Sequence, residues 1–298
     1  MIDLSTTLCK IKLKNPLVLA SGIKGTDGEM LVRMAKEGAG AVTSKSCSLE
    51  PREGHNNPTV LNYRHYLINA IGLSNPGVDE EIEHLKYAID NSPSPVFASV
   101  YENSAERFAL VAKKVAAIKP ALIELDASCP NVKGKLFCSS CEYISELIKK
   151  VKDEVEGIPI SVKLSAAVPN LGEIAKECEK NEVDCISAIN TLPAMAIDVW
   201  ARKPILANVY GGISGKAIFP IALKAVHEIR KNCSLPIIGG GGVYSGEDVA
   251  AMIMAGANAV SVGSALYEYR FAFRKILKEL GGYMQKMGFE KITDITFT

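Results

Sequence analysis

The feature that most restricts this sequence is an alternation: eight short β-rich runs, each followed by a stretch with helical periodicity. The runs are Leu17 to Ser21, Ala41 to Lys45, Val96 to Val100, Leu122 to Ala127, Ile160 to Leu164, Cys185 to Ile189, Pro236 to Ile238 and Ala259 to Val262. A helix between consecutive strands forces them to run parallel, because the chain must return to the same end before the next strand starts. Eight such units, with apolar strands and no long low-complexity linker, predict an α/β fold of the (β/α)8 barrel type, one domain over residues 1–298. A doubly wound open sheet is the alternative, since alternation does not give strand order. Within the helices, Asn103 three residues before Glu106 reads as a cap, and Phe108, Val111, Val115 and Ile118 then share one face.

Composition enters where it limits partners. With 48% hydrophobic and 22% charged residues the chain can bury a large core. Its formal net charge of +1 gives no electrostatic case for nucleic acid or an anionic membrane. Asp3, Lys10, Lys12 and Lys14 interrupt the first fifteen residues, so these resemble neither a signal peptide nor a membrane span, and a cytoplasmic protein is expected. Its 8 cysteines are then read as reduced thiols. Cys138 and Cys141 form a Cys-x-x-Cys, but no second pair has zinc-ligand spacing and the four histidines are scattered, so no metal is expected.

The barrel reading demands that chemistry collect at the ends of the strands. Ala20, Ser21 and Gly22 follow the first run, and Lys45 and Ser46 the second. Cys129 and Asn131 follow the fourth, where Pro130 must stop the strand; Lys163 lies in the fifth, and Asn190 and Thr191 follow the sixth. Cys129 reads either as a thiol presented to a substrate or as a small apolar residue in a turn. Gly239 to Gly242 and Gly263-Ser264 leave backbone N–H groups open to an anion, the place where such barrels hold a phosphate. Two long connections remain. Ser48 to Asp79 reads as a lid or small subdomain with a bend at Gly72, and Val199 to Gly215 brings Arg202 and Lys203 within reach of the phosphate site. Lys45 and Lys163 sit in apolar contexts and call for an anionic partner. A thiol base, two lysines and amides suit proton abstraction beside a carbonyl coupled to hydride transfer, which no side chain can accept, so a flavin is required.

These residues resemble the class 1 dihydroorotate dehydrogenases, flavoproteins built as (β/α)8 barrels. The likeness runs from Asn15-Pro16 to the last helix. It is carried by Lys45-Ser46, Asn69-Ala70-Ile71-Gly72-Leu73, Ser128-Cys129-Pro130-Asn131, Asn190-Thr191 and Gly211-Gly212-Ile213-Ser214-Gly215. The resemblance implies oxidation of dihydroorotate to orotate in pyrimidine biosynthesis. It implies FMN held by Ala20, Ser21, Gly22, Lys45, Ser46, Lys163, Gly215, Gly241, Gly242, Gly263 and Ser264, with Ser99 and Asp126 at two further cofactor positions. It implies substrate held by Lys45, Asn69, Ile71, Gly72, Leu73, Asn131, Asn190 and Thr191, and Cys129 as the base that removes the C5 proton.

Ser99 and Asp126 stand where the family pattern has Asn, and the loop after Lys135 also departs from it. Asp126 is therefore expected to pair with a lysine or to alter substrate affinity. Competing readings are a dihydropyrimidine dehydrogenase-like flavoenzyme and a flavin-free phosphate-binding barrel of the aldolase or isomerase kind. The stretches Asn69 to Leu73 and Thr191 to Asp198 look most like the NAD-linked subclass. That likeness implies a homodimer joined by a second subunit carrying FAD and an iron–sulfur cluster. The N-terminal extension of the membrane-associated class is not seen.

Overall fold

A computed structural model describes residues 2–128 and 136–297. Eight parallel strands close into a barrel: β1 (Leu17–Leu19), β2 (Ala41–Thr43), β3 (Val96–Val100), β4 (Leu122–Asp126), β5 (Ile160–Leu164), β6 (Cys185–Ala188), β7 (Ile237–Gly240) and β8 (Ala259–Val262). Each neighbours the next in the chain, and β8 pairs with β1 through Val260↔Leu17, so no open edge remains. This is the (β/α)8 barrel the alternation predicts, and the open sheet is excluded. Strands β3 and β4 are buried at every position, although β4 carries two carboxylates, Glu124 and Asp126, among its apolar residues.

Helices α1 (Gly28–Lys36), α2 (Val78–Asn91), α3 (Ala105–Ala116), α4 (Cys141–Lys152), α5 (Leu171–Lys180), α6 (Phe219–Asn232), α7 (Gly246–Met254) and α8 (Ala272–Met287) wrap the barrel. Local sequence sets their starts. Asp27 caps α1 by accepting the Met30 N–H at 2.8 Å, and Ser245 and Asp248 form a reciprocal capping box at α7. The cap of α3 is Ser104, not Asn103: its hydroxyl accepts the Arg107 N–H at 3.3 Å, a closer reach for the shorter side chain. Phe108, Val111 and Val115 are buried as expected, while Ile118 lies past the helix end. β7 also extends further than expected, through Gly239 and Gly240. A Cβ on Gly240 would lie 1.8 Å from Ser261 Oγ, so this strand position requires a residue without a side chain.

The bottom of the barrel is sealed by an antiparallel hairpin, Thr6–Leu8 with Ile11–Leu13. Its Leu8 and Leu13 pack against Val18, Phe97, Leu122 and Ile238. The other end is covered differently. The two long connections, around 48–79 and 191–215, pair with each other in one antiparallel sheet of order Leu192–Met195, Tyr210–Ser214, Leu67–Asn69, Val60–Asn62. Among the described residues no helix is long and apolar enough to cross a membrane, and no cluster of His, Cys, Asp and Glu could hold a metal. Cys138 is buried in a short 3-10 turn, and Cys141 begins α4.

One buried charge stands out behind the second strand. Glu81 of α2 is 1% exposed, and neither carboxyl oxygen has a hydrogen-bond partner. Burial pushes its carboxyl up to about 8 from 4.5, and the nearby carboxylates of Asp27 and Glu80 add to the rise while Ser44 and Lys45 oppose it. The unfolded chain therefore releases this proton at lower pH than the folded protein does. Stability from this group is complete below 4.5 and is lost as pH rises through about 8, a decline of up to about 5 kcal/mol. Urea unfolding from pH 5 to 9 should show that decline in the parent protein and a much flatter profile in Glu81→Gln.

Candidate active site

A cavity of about 500 Å³ opens at the C-terminal ends of the barrel strands, beneath the antiparallel sheet. Most residues singled out in the sequence meet there. Ala20, Ser21 and Gly22 after β1, Lys45 and Ser46 after β2, Asp126 of β4 and Lys163 of β5 all line it. Asn190 and Thr191 after β6, Gly241 and Gly242 after β7, and Gly263 and Ser264 after β8 complete the barrel side. Asn69, Ile71, Gly72 and Leu73 form the roof. Gly215 lies at the rim, against Gly242. Ser99 is fully buried and does not itself line the cavity. Arg202 and Lys203 stand exposed on an outer hairpin and do not line the cavity, so their expected approach to the phosphate site is not realised. Cys129 and Asn131 lie outside the described residues. On either side of them, Ala127 and Cys138 are tied by a main-chain bond of 3.0 Å.

Hydroxyls cross the floor from strand to strand. Ser21 Oγ lies 3.2 Å from Ser46 Oγ, which lies 2.9 Å from Ser99 Oγ, and Ser99 donates to Glu124 Oε1 at 3.2 Å. The Lys163 ammonium lies 3.9 Å from the same Glu124 oxygen. Glu124 was not anticipated, although the signal was there: it lies two residues before Asp126 and so points to the same face of β4. Asp126 is 4% exposed and accepts from the Ser128 N–H and hydroxyl and from Asn190 Nδ2 at 3.3 Å. Asp126 stands opposite Lys163 in the register of β4 and β5. Two carboxylates and two lysines thus face one cavity.

The roof is fixed from two sides. Asn75 Oδ1 accepts the N–H groups of Ser48 and Gly77, while its Nδ2 donates to Leu73 O at 2.8 Å. Glu102 accepts the Leu49 N–H at 2.9 Å and is gripped by Arg107, which also reaches Glu50. Burial works against ionising Glu102, but the guanidinium and the N–H groups of Leu49 and Asn103 prevail and hold it below the usual carboxylate range. Gly72 and Leu73 both adopt left-handed backbone, φ +76° and +58°. A Cβ on Gly72 would lie 2.7 Å from the His55 nitrogen, so only glycine fits. Among the described residues the N–H groups of Ile71, Gly72 and Leu73 make no main-chain hydrogen bond. Main-chain N–H groups left open at a left-handed turn can take an anion.

The dihydroorotate dehydrogenase family model matches residues 3–284 of this chain. The chain belongs to the dihydroorotate dehydrogenase family. It is 43% identical over 289 residues to the dihydroorotate dehydrogenase B (NAD(+)), catalytic subunit, of Methanocaldococcus jannaschii, covering 95% of this chain and 94% of the relative. The proteins of the same name from Thermoplasma volcanium and Pyrococcus abyssi are 40% and 39% identical, each over at least 97% of both chains. In this dihydroorotate dehydrogenase family member the glycine rim is sterically constrained, as the roof is at Gly72. Gly242 has φ +75°, and a Cβ there would lie 2.7 Å from Gly215 O and 2.9 Å from the Phe219 nitrogen. Gly242→Ala should cost about 1–3 kcal/mol, read as a lowered midpoint of thermal unfolding.

Proposed function

We propose that this chain oxidises dihydroorotate to orotate in de novo pyrimidine biosynthesis, with FMN as its cofactor, working as one catalytic domain in the cytoplasm. One observation carries the reading. One cavity gathers Lys45, Lys163, Asn190 and the roof residues Ile71, Gly72 and Leu73 at the mouth of a barrel whose other end is sealed. Its volume lies within the ~300–1,000 Å³ usual for small-molecule sites. FMN suits the residues present: Gly241, Gly242, Gly263 and Ser264 form a side-chain-poor rim fit for the phosphate, and the hydroxyl floor with Lys163 fits a polar ring edge. When bound, FMN supplies the hydride acceptance that no side chain offers.

In this reading the roof N–H groups and Lys45 hold the substrate carboxylate, Asn69 and Thr191 border the ring, and Asn190 fixes its far edge. Cys129, with Asn131 beside it in sequence, is the base that takes the C5 proton as the C6 hydride leaves. Lys163 offsets negative charge that gathers on the ring below. A roof built to receive a carboxylate favours dihydroorotate over uracil, which has none, and so weighs against the dihydropyrimidine dehydrogenase-like alternative. A flavin-free barrel is separated by colour: the purified protein should be yellow, with its absorbance bleached anaerobically by dihydroorotate. A colourless protein that takes up no FMN on reconstitution would sink the reading. Cys129→Ser should slow that bleaching by roughly two to four orders of magnitude while orotate still binds, and the parent rate should rise with pH as the thiol becomes thiolate. Stopped-flow reduction against pH in both proteins checks this without any external acceptor.

The relatives' name, a catalytic subunit of an NAD(+)-linked enzyme, supports a second subunit with FAD and an iron–sulfur cluster that passes electrons onward. A homodimer of the chain itself is supported by an outward apolar face. Trp200 is 93% exposed, and Val199, Ile197 and Tyr210 are exposed as well. The same hairpin pairs Asp198 with Lys203, opposite charges that can meet their copies across a two-fold axis. Trp200→Arg should shift the chain from dimer to monomer in light-scattering chromatography.

A further inference from the structure

The hairpin that seals the bottom of the barrel has few polar ties to it. Among the described residues, no main-chain hydrogen bond joins Thr6–Leu8 or Ile11–Leu13 to the rest of the protein. Leu8 and Leu13 supply packing, and two side chains reach main-chain oxygens: Thr6 Oγ1 donates to Asn258 O at 3.2 Å and Cys9 Sγ to Asp184 O at 3.3 Å. Cys9 does so from an unfavourable place. Leu8 pairs with Ile11, so Cys9 and Lys10 form a two-residue turn, and both have left-handed backbone, φ +49° and +66°. Asn and Gly are the residues such a turn prefers. What a cysteine does there is shown by its neighbour. Asp184 precedes Cys185, the first residue of β6, whose thiol is fully buried. The Cys9 and Cys185 thiols interact directly, and the Cys185 thiol also meets the Ser161 hydroxyl. Both belong to one apolar cluster, Cys185 inside it and Cys9 half-buried at its edge, and both are free thiols. Burial, reinforced by the Cys9 thiol, pushes the Cys185 thiol well above its usual range.

We propose that Cys9 and Cys185 are the two halves of a redox-sensitive cross-link, a disulfide that fastens the N-terminal hairpin to the sixth barrel strand. The oxidant is a small-molecule disulfide, RS–SR. Exposure sets the order of events: Cys9 is the thiol that solvent reaches, so it attacks RS–SR first, its sulfur taking one RS group while its proton leaves with the other as RSH. Cys185 then attacks the Cys9 sulfur of this mixed disulfide, and its proton passes to the departing RS group. One RS–SR is reduced to two RSH, and two protein thiols are oxidised to one S–S bond. Because the buried Cys185 thiol holds its proton tightly, the second step is the slow one. In a reducing thiol pool the pair stays open, and it closes as the disulfide share of that pool rises. The bond closes a loop of more than half the chain, the kind that restricts an unfolded chain most. This cross-link belongs to the bottom of the barrel and does not depend on which reaction runs at the mouth.

The test incubates the purified full-length protein with cystamine in the absence of reductant, blocks the remaining thiols with iodoacetamide at intervals, and maps unreduced peptides by mass spectrometry. Cystamine should appear on Cys9 first and then give way to a peptide joining Cys9 to Cys185. Once that peptide predominates, the midpoint of thermal unfolding should stand about 4–10 °C higher and should fall back when dithiothreitol is added. Cys9→Ser, a change at a half-exposed turn, should show neither the linked peptide nor the rise. Cys185→Ser should stop at the mixed disulfide on Cys9; the parent time course reads the same order of events without any variant. Three results would overturn the proposal. The parent could keep cystamine on Cys9, or leave Cys9 unreacted, with no link to Cys185. The link could form with no change in the unfolding midpoint, so that nothing is fastened. Or Cys9→Ser could show the same rise as the parent, which would assign the stabilisation to a different thiol.

Discussion

Closure of the parallel barrel is the constraint on which everything else depends. A parallel strand can be followed by its parallel neighbour only through a crossover, so every strand delivers its C-terminal end to the same mouth. With β8 paired to β1 and the Thr6–Leu13 hairpin filling the other end, one opening remains. Residues as distant in sequence as Ser21, Lys163 and Ser264 then become neighbours without any contact having to be arranged between them individually. The roof follows from the same geometry. Connections too long to be simple turns have nowhere to go except across that mouth, where 48–79 and 191–215 find each other and pair, Asn69 opposite Gly212.

The barrel was legible because its signal is repeated: eight apolar runs, each misjudged by no more than two residues at an end. β7 runs two residues past its expected end because those residues are glycines, which read as a turn in sequence, while in the fold they leave room for Ser261. The site was legible where a residue sits at a strand end, since position alone assigns it to the mouth. It was illegible where pairing decides. Nothing local says that Tyr210–Ser214 and Leu67–Asn69 share a sheet, because the pairing residues lie more than a hundred positions apart. Arg202 and Lys203 differ from expectation for that reason: their hairpin carries them outward from the rim. Ser104 displaced Asn103 as a cap through a difference of one residue, below what sequence spacing resolves.

The cavity's charges are balanced in kind. Lys45 and Lys163 face it together with Glu124 and Asp126, and the carboxylates are almost wholly removed from water. Each carboxylate has donors of its own, Ser99 for Glu124 and Ser128 with Asn190 for Asp126, which lowers the cost of holding them there. Glu81 is the contrast. It is equally buried but has no donor, and so keeps its proton to higher pH.

The hydroxyl row of the floor has a further property. A serine has one hydrogen to give, and Ser99 gives its hydrogen to Glu124. Ser46 must then donate to Ser99, and Ser21 to Ser46, for the contacts at 2.9 and 3.2 Å to be bonds. All three protons point the same way, toward β4, and Ser21 is left with lone pairs alone. The floor therefore behaves like a wire with a set polarity: an acid on the fourth strand decides that whatever rests on the loop after the first strand meets an oxygen that accepts and cannot give.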